Sequence, residues 1–161
     1  MVNNLKIDKI LNDRKYIECI YELINDKILS LENFSHHKKT TRLRHSLKVS
    51  YLNYRICTFL KLDARSAARA GLLHDLFFYE TKSYNKKLYG KNHFRQHPKT
   101  ALQNAVSMFE INQTEQDIIL HHMWPATISL PQSPEGIVTM LVDKYCTLTD
   151  IFDMFKKNSR L

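Results

Sequence analysis

At 161 residues, with 43% hydrophobic and 25% charged residues, the chain has room for one substantial core and reads as a single globular domain. No run approaches the roughly 18 apolar residues of a membrane span, and the opening MVNNLKIDKILNDRK is too polar for a signal peptide. Cys19, Cys57 and Cys146 are odd in number and form no CxxC, which argues against a disulfide framework and for a reducing cytoplasm.

Only 3 glycines and 4 prolines punctuate the chain, so long helices joined by few tight turns are expected. Residues 4–31 carry Leu5, Ile10, Ile17, Ile20, Tyr21 and Leu23 at near-helical spacing and predict one amphipathic helix covering a side of the core. A second helix starts near Thr40 or Thr41. On it His45, Val49, Leu52, Ile56 and Leu60 follow at steps of three and four, so His45 opens an inward apolar stripe. Asp63 is the expected N-cap of a third helix. There Ala67, Gly71, His74 and Phe78 share a face, Asp75 lies one residue further round, and the small residues at 67 and 71 admit a neighbouring helix.

Residues 81–96 read as a polar loop. Pro98 suits the first turn of a fourth helix over 98–110, with His97 near its cap. Asn112 and Glu115 resemble a capping box for a fifth helix carrying Ile118, Ile119 and His122. Pro125, Pro131 and Pro134 bracket a loop, and Ser133 caps a last helix in which Asp143 interrupts the apolar run IVTMLV. The expectation is an all-α bundle of five or six helices with no substantial sheet.

Successive helices thus deliver, in chain order, His45, His74 with Asp75, His97, His122 and Asp143. Burying an acid or a polar ring without a partner costs a few kcal/mol apiece, roughly, and a bound cation removes that cost. Taken singly the residues say little: a histidine on an apolar stripe is ordinarily a core histidine bonded to backbone, and adjacent His and Asp are common by chance. Asp143 inside an apolar run is harder to explain without a cation or several donors. The ordered set of six is a far stronger signal than any member.

The segments RLRHSLKV (42–49), AGLLHDLF (71–78), RQHPKTAL (95–102), IILHHMWP (118–125) and MLVDKYC (140–146) carry a resemblance to the HD-domain metal-dependent phosphohydrolases over about residues 40–150. The resemblance implies a metal-binding core at 40–150, with 1–39 covering it and 151–161 as a C-terminal tail. It further implies that His45, His74, Asp75 and Asp143 bind one metal. In a subset two more histidines hold a second metal and the doublet aspartate bridges; His97 and His122 fit that subset. The set is most similar to small bacterial di-iron members that cleave dinucleoside polyphosphates, which tend to carry an arginine three residues before the first histidine, matched by Arg42.

On this reading His74 and Asp75 form the catalytic centre. Imidazole and carboxylate suit two divalent transition ions, iron or manganese first, with cobalt, nickel or zinc compatible. Such ions lower the pKa of water from about 15.7 towards about 7, supplying hydroxide to attack phosphorus. Arg42, Lys91 and Arg95 are the candidates to offset charge on the phosphoryl oxygens of a small substrate, a nucleotide above all.

His122 is preferred to His121 because Ile118 and Ile119 share its inward face; His121 is left as a second ligand, a substrate contact or a solvent-facing neighbour. His36, His37 and His93 read as surface residues, with His93 within reach of a phosphate. Cys146 reads as a buried thiol, and Phe77 and Trp124 as packing residues rather than base-stacking ones. MWPATISL lacks the Gly-Tyr-Pro of the cyclic di-GMP phosphodiesterase branch, and LFFYE replaces a lysine-bearing turn after the doublet, so Tyr79, Glu80 and Trp124 would shape this pocket.

The +8 formal charge lies largely in HHKKTTRLRHSLK (36–48) and KKLYGKNHFRQHPK (86–99), which run into these histidines. That placement favours an anionic small-molecule ligand over a nucleic-acid partner. The second reading is a non-catalytic metal- or nucleotide-binding regulatory module, and the third a basic helical nucleic-acid or interaction protein in which the histidines are incidental.

Overall fold

Polar residues that can hold free backbone N–H groups decide where the helices begin. The computed structural model describes residues 10–36, 40–81, 84 and 92–158, with side chains as far as 152. Asp13 accepts from Tyr16 N and starts α1 (Arg14–Ile20); Asn25 accepts from Ile28 N and starts the short α2 (Asp26–Leu29). The two competing caps break the segment read as one helix over 4–31 into short pieces joined by 3₁₀ turns at Tyr21–Leu23 and Ser30–Asn33. The segment still covers the core: Ile10, Tyr16, Ile20, Leu23, Ile28 and Leu31 are buried, while Tyr21 is 76% exposed.

A two-residue antiparallel ladder follows, β1 (Ser35–His36) against β2 (Thr40–Thr41), with Ser35 opposite Thr41 and His36 opposite Thr40. It is the only sheet among the described residues, and the fold is all-α. Thr41 caps α3 (Arg42–Leu60) and Asp63 caps α4 (Ala64–Leu73), each through its side chain. Asn112 and Glu115 form the expected reciprocal capping box of α6 (Gln113–His121). Ser133 Oγ accepts from Gly136 N at the start of α7 (Pro134–Asn158), which absorbs most of the segment expected to be a tail. Helix α5 runs from His93 to Met108, five residues earlier than Pro98 suggested, because Asn92 accepts from Phe94 N and caps it there. Pro98 lies inside α5, and the bond it removes is the one to the carbonyl of the exposed Phe94. None of the described helices is long and apolar enough to cross a membrane.

Helices α3 and α4 form the centre of the bundle, and their approach explains why half of the apolar stripe on α3 points outward. A Cβ on Gly71 would lie 2.7 Å from Asn53 Nδ2 and 2.8 Å from Ser50 Cα. With the backbones so close, α3 presents small or polar side chains to α4. Ser50 Oγ donates to Ala68 O at 2.6 Å and accepts from Tyr16 Oη at 2.9 Å. Asn53 Nδ2 donates to Ala67 O at 3.2 Å and Thr139 Oγ1 at 2.9 Å. Val49 stays inside, whereas Ile56 and Leu60 are 37% and 50% exposed.

Gly71→Ala is therefore expected to cost about 1–3 kcal/mol by overpacking. Gly71 O also anchors the ring of His74, so metal affinity should fall along with the melting temperature. Thermal melts with and without chelator check both effects. An unchanged melt would mean that the two helices part freely.

Candidate metal centre

Four helices and the turn after α4 bring the six side chains to one place. His45 stands in the second turn of α3, His74 and Asp75 immediately follow α4, His97 lies in α5, His122 caps the end of α6 and Asp143 lies in α7. Helix-terminal placement leaves the His74–Asp75 and His122 backbones free to turn their side chains inward.

Asp75 is the hub. Its Oδ1 lies 3.3 Å from His97 Nε2 and 3.9 Å from His122 Nε2; its Oδ2 lies 3.8 Å from His74 Nε2 and 3.7 Å from His36 Nε2. Asp143 Oδ1 lies 3.0 Å from His45 Nε2 and 3.5 Å from His74 Nε2. Ligand atoms of His45, His74 and Asp143 lie within 4.8 Å of one another, as do those of His74, Asp75 and His122 and those of His36, His45 and Asp75. One carboxylate thus faces two donor clusters. The His45 and His74 side chains are fully enclosed, while those of Asp75, Asp143 and His36 keep 9%, 11% and 14% exposure, so the site opens to solvent along this edge.

The hydrogen bonds fix which ring nitrogens can act as ligands. His74 Nδ1 donates to Gly71 O at 2.8 Å, His97 Nδ1 to His93 O at 3.1 Å and His122 Nδ1 to Ile119 O at 2.8 Å. A carbonyl only accepts, so each ring in its neutral form carries its proton on Nδ1 and leaves Nε2 free to bind a metal, the arrangement of metal-bound histidines. The buried Nε2 of His74 has no hydrogen-bond partner. His97 Nε2 and His122 Nε2 face each other at 3.1 Å, and with both Nδ1 protons given to carbonyls neither neutral ring has a proton to place between them. Two opposed lone pairs at that distance repel, and a cation between or beside them removes the repulsion. The donor set fits transition ions.

The protonation equilibria agree. Burial, with His74 and His97 adding to it, lowers the pKa of His122 to about 3; burial also lowers that of His97, so both rings are neutral. Burial disfavours the ionised Asp75, but the charge of the neighbouring His74, whose own pKa is raised, outweighs it and holds the carboxyl well below its usual range. Asp143 is likewise held low, against burial, by His45 and His74. Burial opposes protonation of His45, yet Asp143 and Asp150 raise its pKa to about 9.

This raised value gives a pH signature. The stability His45 contributes to metal-free protein is complete below its unfolded pKa of 6.5 and is lost as pH rises through about 9. Chelated protein should melt at falling temperatures between those values, whereas metal-loaded protein should not, since a cation takes the place of the proton. His122, shifted the other way, acts only below pH 6.5. Parallel melts of the chelated and loaded forms across this window check it; matching pH profiles count against a shared proton and metal site.

Several assignments change. Arg42, expected to meet substrate, is fully buried. Its Nη1 donates to Phe77 O at 2.7 Å and its Nη2 to Tyr79 O at 3.1 Å, and its guanidinium lies 3.6 Å from the centre of the Phe77 ring. It pins the turn after the doublet and cannot reach a phosphate. Arg95 is exposed and stands two residues, about 200° of helix, from both His93 and His97, so it faces away from the site. Lys91 and His37 lie outside the described residues.

His36 is no surface residue: its ring stacks on that of His45 at 3.8 Å. His93 is half-buried, stacked on His97 at 4.8 Å, and burial lowers its pKa to about 4. His121 Nδ1 donates to Asp117 at 2.8 Å, and the same carboxylate accepts from Ser133 N and Oγ, so His121 braces the start of α7. Cys146 is a buried thiol packed with Val49 and Val142, its pKa pushed up to about 12 by burial.

Asp150 went unnoticed in the sequence. Its Oδ2 lies 3.5 Å from His45 Nδ1 while Oδ1 accepts from Lys48 Nζ at 2.9 Å, so it places a negative charge behind the ring. Its spacing of seven from Asp143, on the same helix face, was the available signal. Among the described residues, three cations beside the site are engaged: Lys48 with Asp150 and Thr149, Lys144 with the His122 and Met140 carbonyls, Arg42 as above.

The model of the HD domain family matches residues 42–148. No curated protein and no solved structure gives a significant match.

Proposed function

The chain belongs to the HD-domain family, most of whose members are metal-dependent hydrolases, and we propose that it cleaves a phosphate ester or anhydride of a small substrate, a nucleotide first, with two divalent ions held around Asp75. One observation carries the reading: His97 and His122 aim Nε2 atoms at each other across 3.1 Å beside Asp75 Oδ1, while Oδ2 faces the His45, His74 and Asp143 cluster. His45, His74, Asp143 and one oxygen of Asp75 would hold the first ion, His97, His122 and the other oxygen the second. Iron or manganese fits this mixture of nitrogen and oxygen donors.

Bound there, the two ions would supply hydroxide at neutral pH and offset the charge that grows on phosphoryl oxygens. The chain's own part is orientation. Backbone carbonyls of Gly71, His93 and Ile119 hold the imidazoles of His74, His97 and His122, and the Asp150 carboxylate stands 3.5 Å behind that of His45. Two anionic ligands, Asp75 and Asp143, against two divalent ions leave a positive centre that attracts phosphate. This matters because Arg42, Lys48 and Lys144 are already committed elsewhere.

The test joins metal analysis of protein purified in metal-replete medium to a hydrolysis screen over nucleotides, dinucleoside polyphosphates and small phosphate esters, with chelator and His74→Ala controls. The expected result is up to two transition ions per chain and a chelator-sensitive activity that His74→Ala removes. A protein holding no transition metal, with any activity indifferent to His74→Ala, sinks the reading. Removing tightly held ions should also lower the melting temperature, because binding to the folded state adds RT ln(1 + [L]/Kd).

A further inference from the structure

We propose that His36 is a further metal ligand, carried on the β1–β2 hairpin and added to the cluster of His45, His74, Asp75 and Asp143; the inference rests on the metal reading above. His36 Nε2 lies 3.7 Å from Asp75 Oδ2, the oxygen that faces His74, and ligand atoms of His36, His45 and Asp75 fall within 4.8 Å of one another. The ring lies nearly parallel to that of His45, with centroids 3.8 Å apart and an interplanar angle of 22°. Stacked in this way, the two imidazoles can turn nitrogens to one ion from adjacent positions.

The hairpin is built to hold the ring there. Ser35 N and Oγ donate to the two oxygens of Glu80 at 2.9 and 2.7 Å, tying β1 to the turn that carries the His74–Asp75 doublet. Arg42 N donates to Phe34 O at 2.9 Å, and Thr41 Oγ1 donates to Glu32 at 2.7 Å, tying the other side to the start of α3. The hairpin is thus anchored to both elements that bear ligands of the same ion. His36 is the one histidine of the cluster that a β-strand supplies. It is also on the solvent-facing edge, so it caps the ion where a substrate must arrive.

Cobalt(II) added to metal-stripped full-length protein tests this, because its visible absorption reports the number and kind of ligands and its titration reports affinity. In His36→Ala and His36→Gln, affinity for one of the two ions should fall at least tenfold and the absorption spectrum should change, with the other ion unaffected. Melts of the chelated variants, expected to match the wild type, show that the fold is intact. Should both variants titrate and absorb as the wild type does, the inference fails while the metal reading stands. A change in KM alone, with the cobalt titration unmoved, also overturns it, since His36 would then meet substrate and not the ion. If the wild-type protein binds no cobalt, both fall together.

Discussion

Asp75→Asn is expected to reduce phosphohydrolysis by about 10²–10³-fold or more and to leave at most one metal ion per chain. The substitution keeps the shape and one oxygen of the side chain but removes the charge that four imidazoles surround, those of His36, His74, His97 and His122. Because Asp75 faces both donor clusters, its loss should disturb both ions. Substitutions on either side should be separable. Asp143→Asn should weaken only the ion shared with His45 and His74, and His122→Ala only the ion shared with His97. Metal analysis and competition titrations on the three variants distinguish a bridge from two independent sites. If Asp75→Asn loses one ion and retains the other at wild-type affinity, the bridging role is wrong. If it keeps wild-type turnover, the hydrolase reading goes as well.

Three helix starts were legible from caps with a side-chain oxygen: Thr41, Asp63 and the Asn112–Glu115 pair start helices where their side chains predict them. The same rule, applied too sparingly, hid Asp13, Asn25 and Asn92, whose caps break the N-terminal segment and start α5 early. Hydrophobic spacing misjudged α3 for a different reason. Its buried face meets Gly71 so closely that Ser50 and Asn53 fit there while Ile56 does not, and burial follows side-chain size and hydrogen bonding to α4 instead of apolarity.

Of the candidate site, the convergence of His45, His74, Asp75, His97, His122 and Asp143 followed from their order along successive helices. His36 did not, because a two-residue ladder leaves no periodicity to read, and only the ties through Ser35 and Glu80 reveal where it goes. Charge misled at Arg42 and Arg95. Position along the chain gives proximity to a ligand but not direction, and the guanidinium of Arg42 turns under the site while Arg95 turns away from it.

Arg42→Ala should be among the most damaging single changes in the protein, costing about 3–5 kcal/mol from the cavity and the two carbonyls left without donors. The guanidinium is fully buried between aromatic rings, 3.6 Å from the centre of Phe77 and 5.1 Å from that of Phe34. Truncation leaves a cavity there and deprives the carbonyls of Phe77 and Tyr79 of their donors, each orphaned carbonyl costing about 1–3 kcal/mol in full burial. Those carbonyls lie two and four residues beyond Asp75, so the turn that aims the doublet would loosen and metal affinity should fall with stability. For a domain of this size the melting temperature should drop on the order of 10 °C. Arg42→Lys should recover only part of the loss, because an ammonium neither spans two carbonyls as a planar fork nor stacks on Phe77 in the same way. A substrate-binding arginine behaves otherwise: its alanine variant would melt like the wild type and show only a raised KM. Melting curves together with KM and kcat for both variants separate these cases, and an unshifted melt with a raised KM would return Arg42 to the substrate.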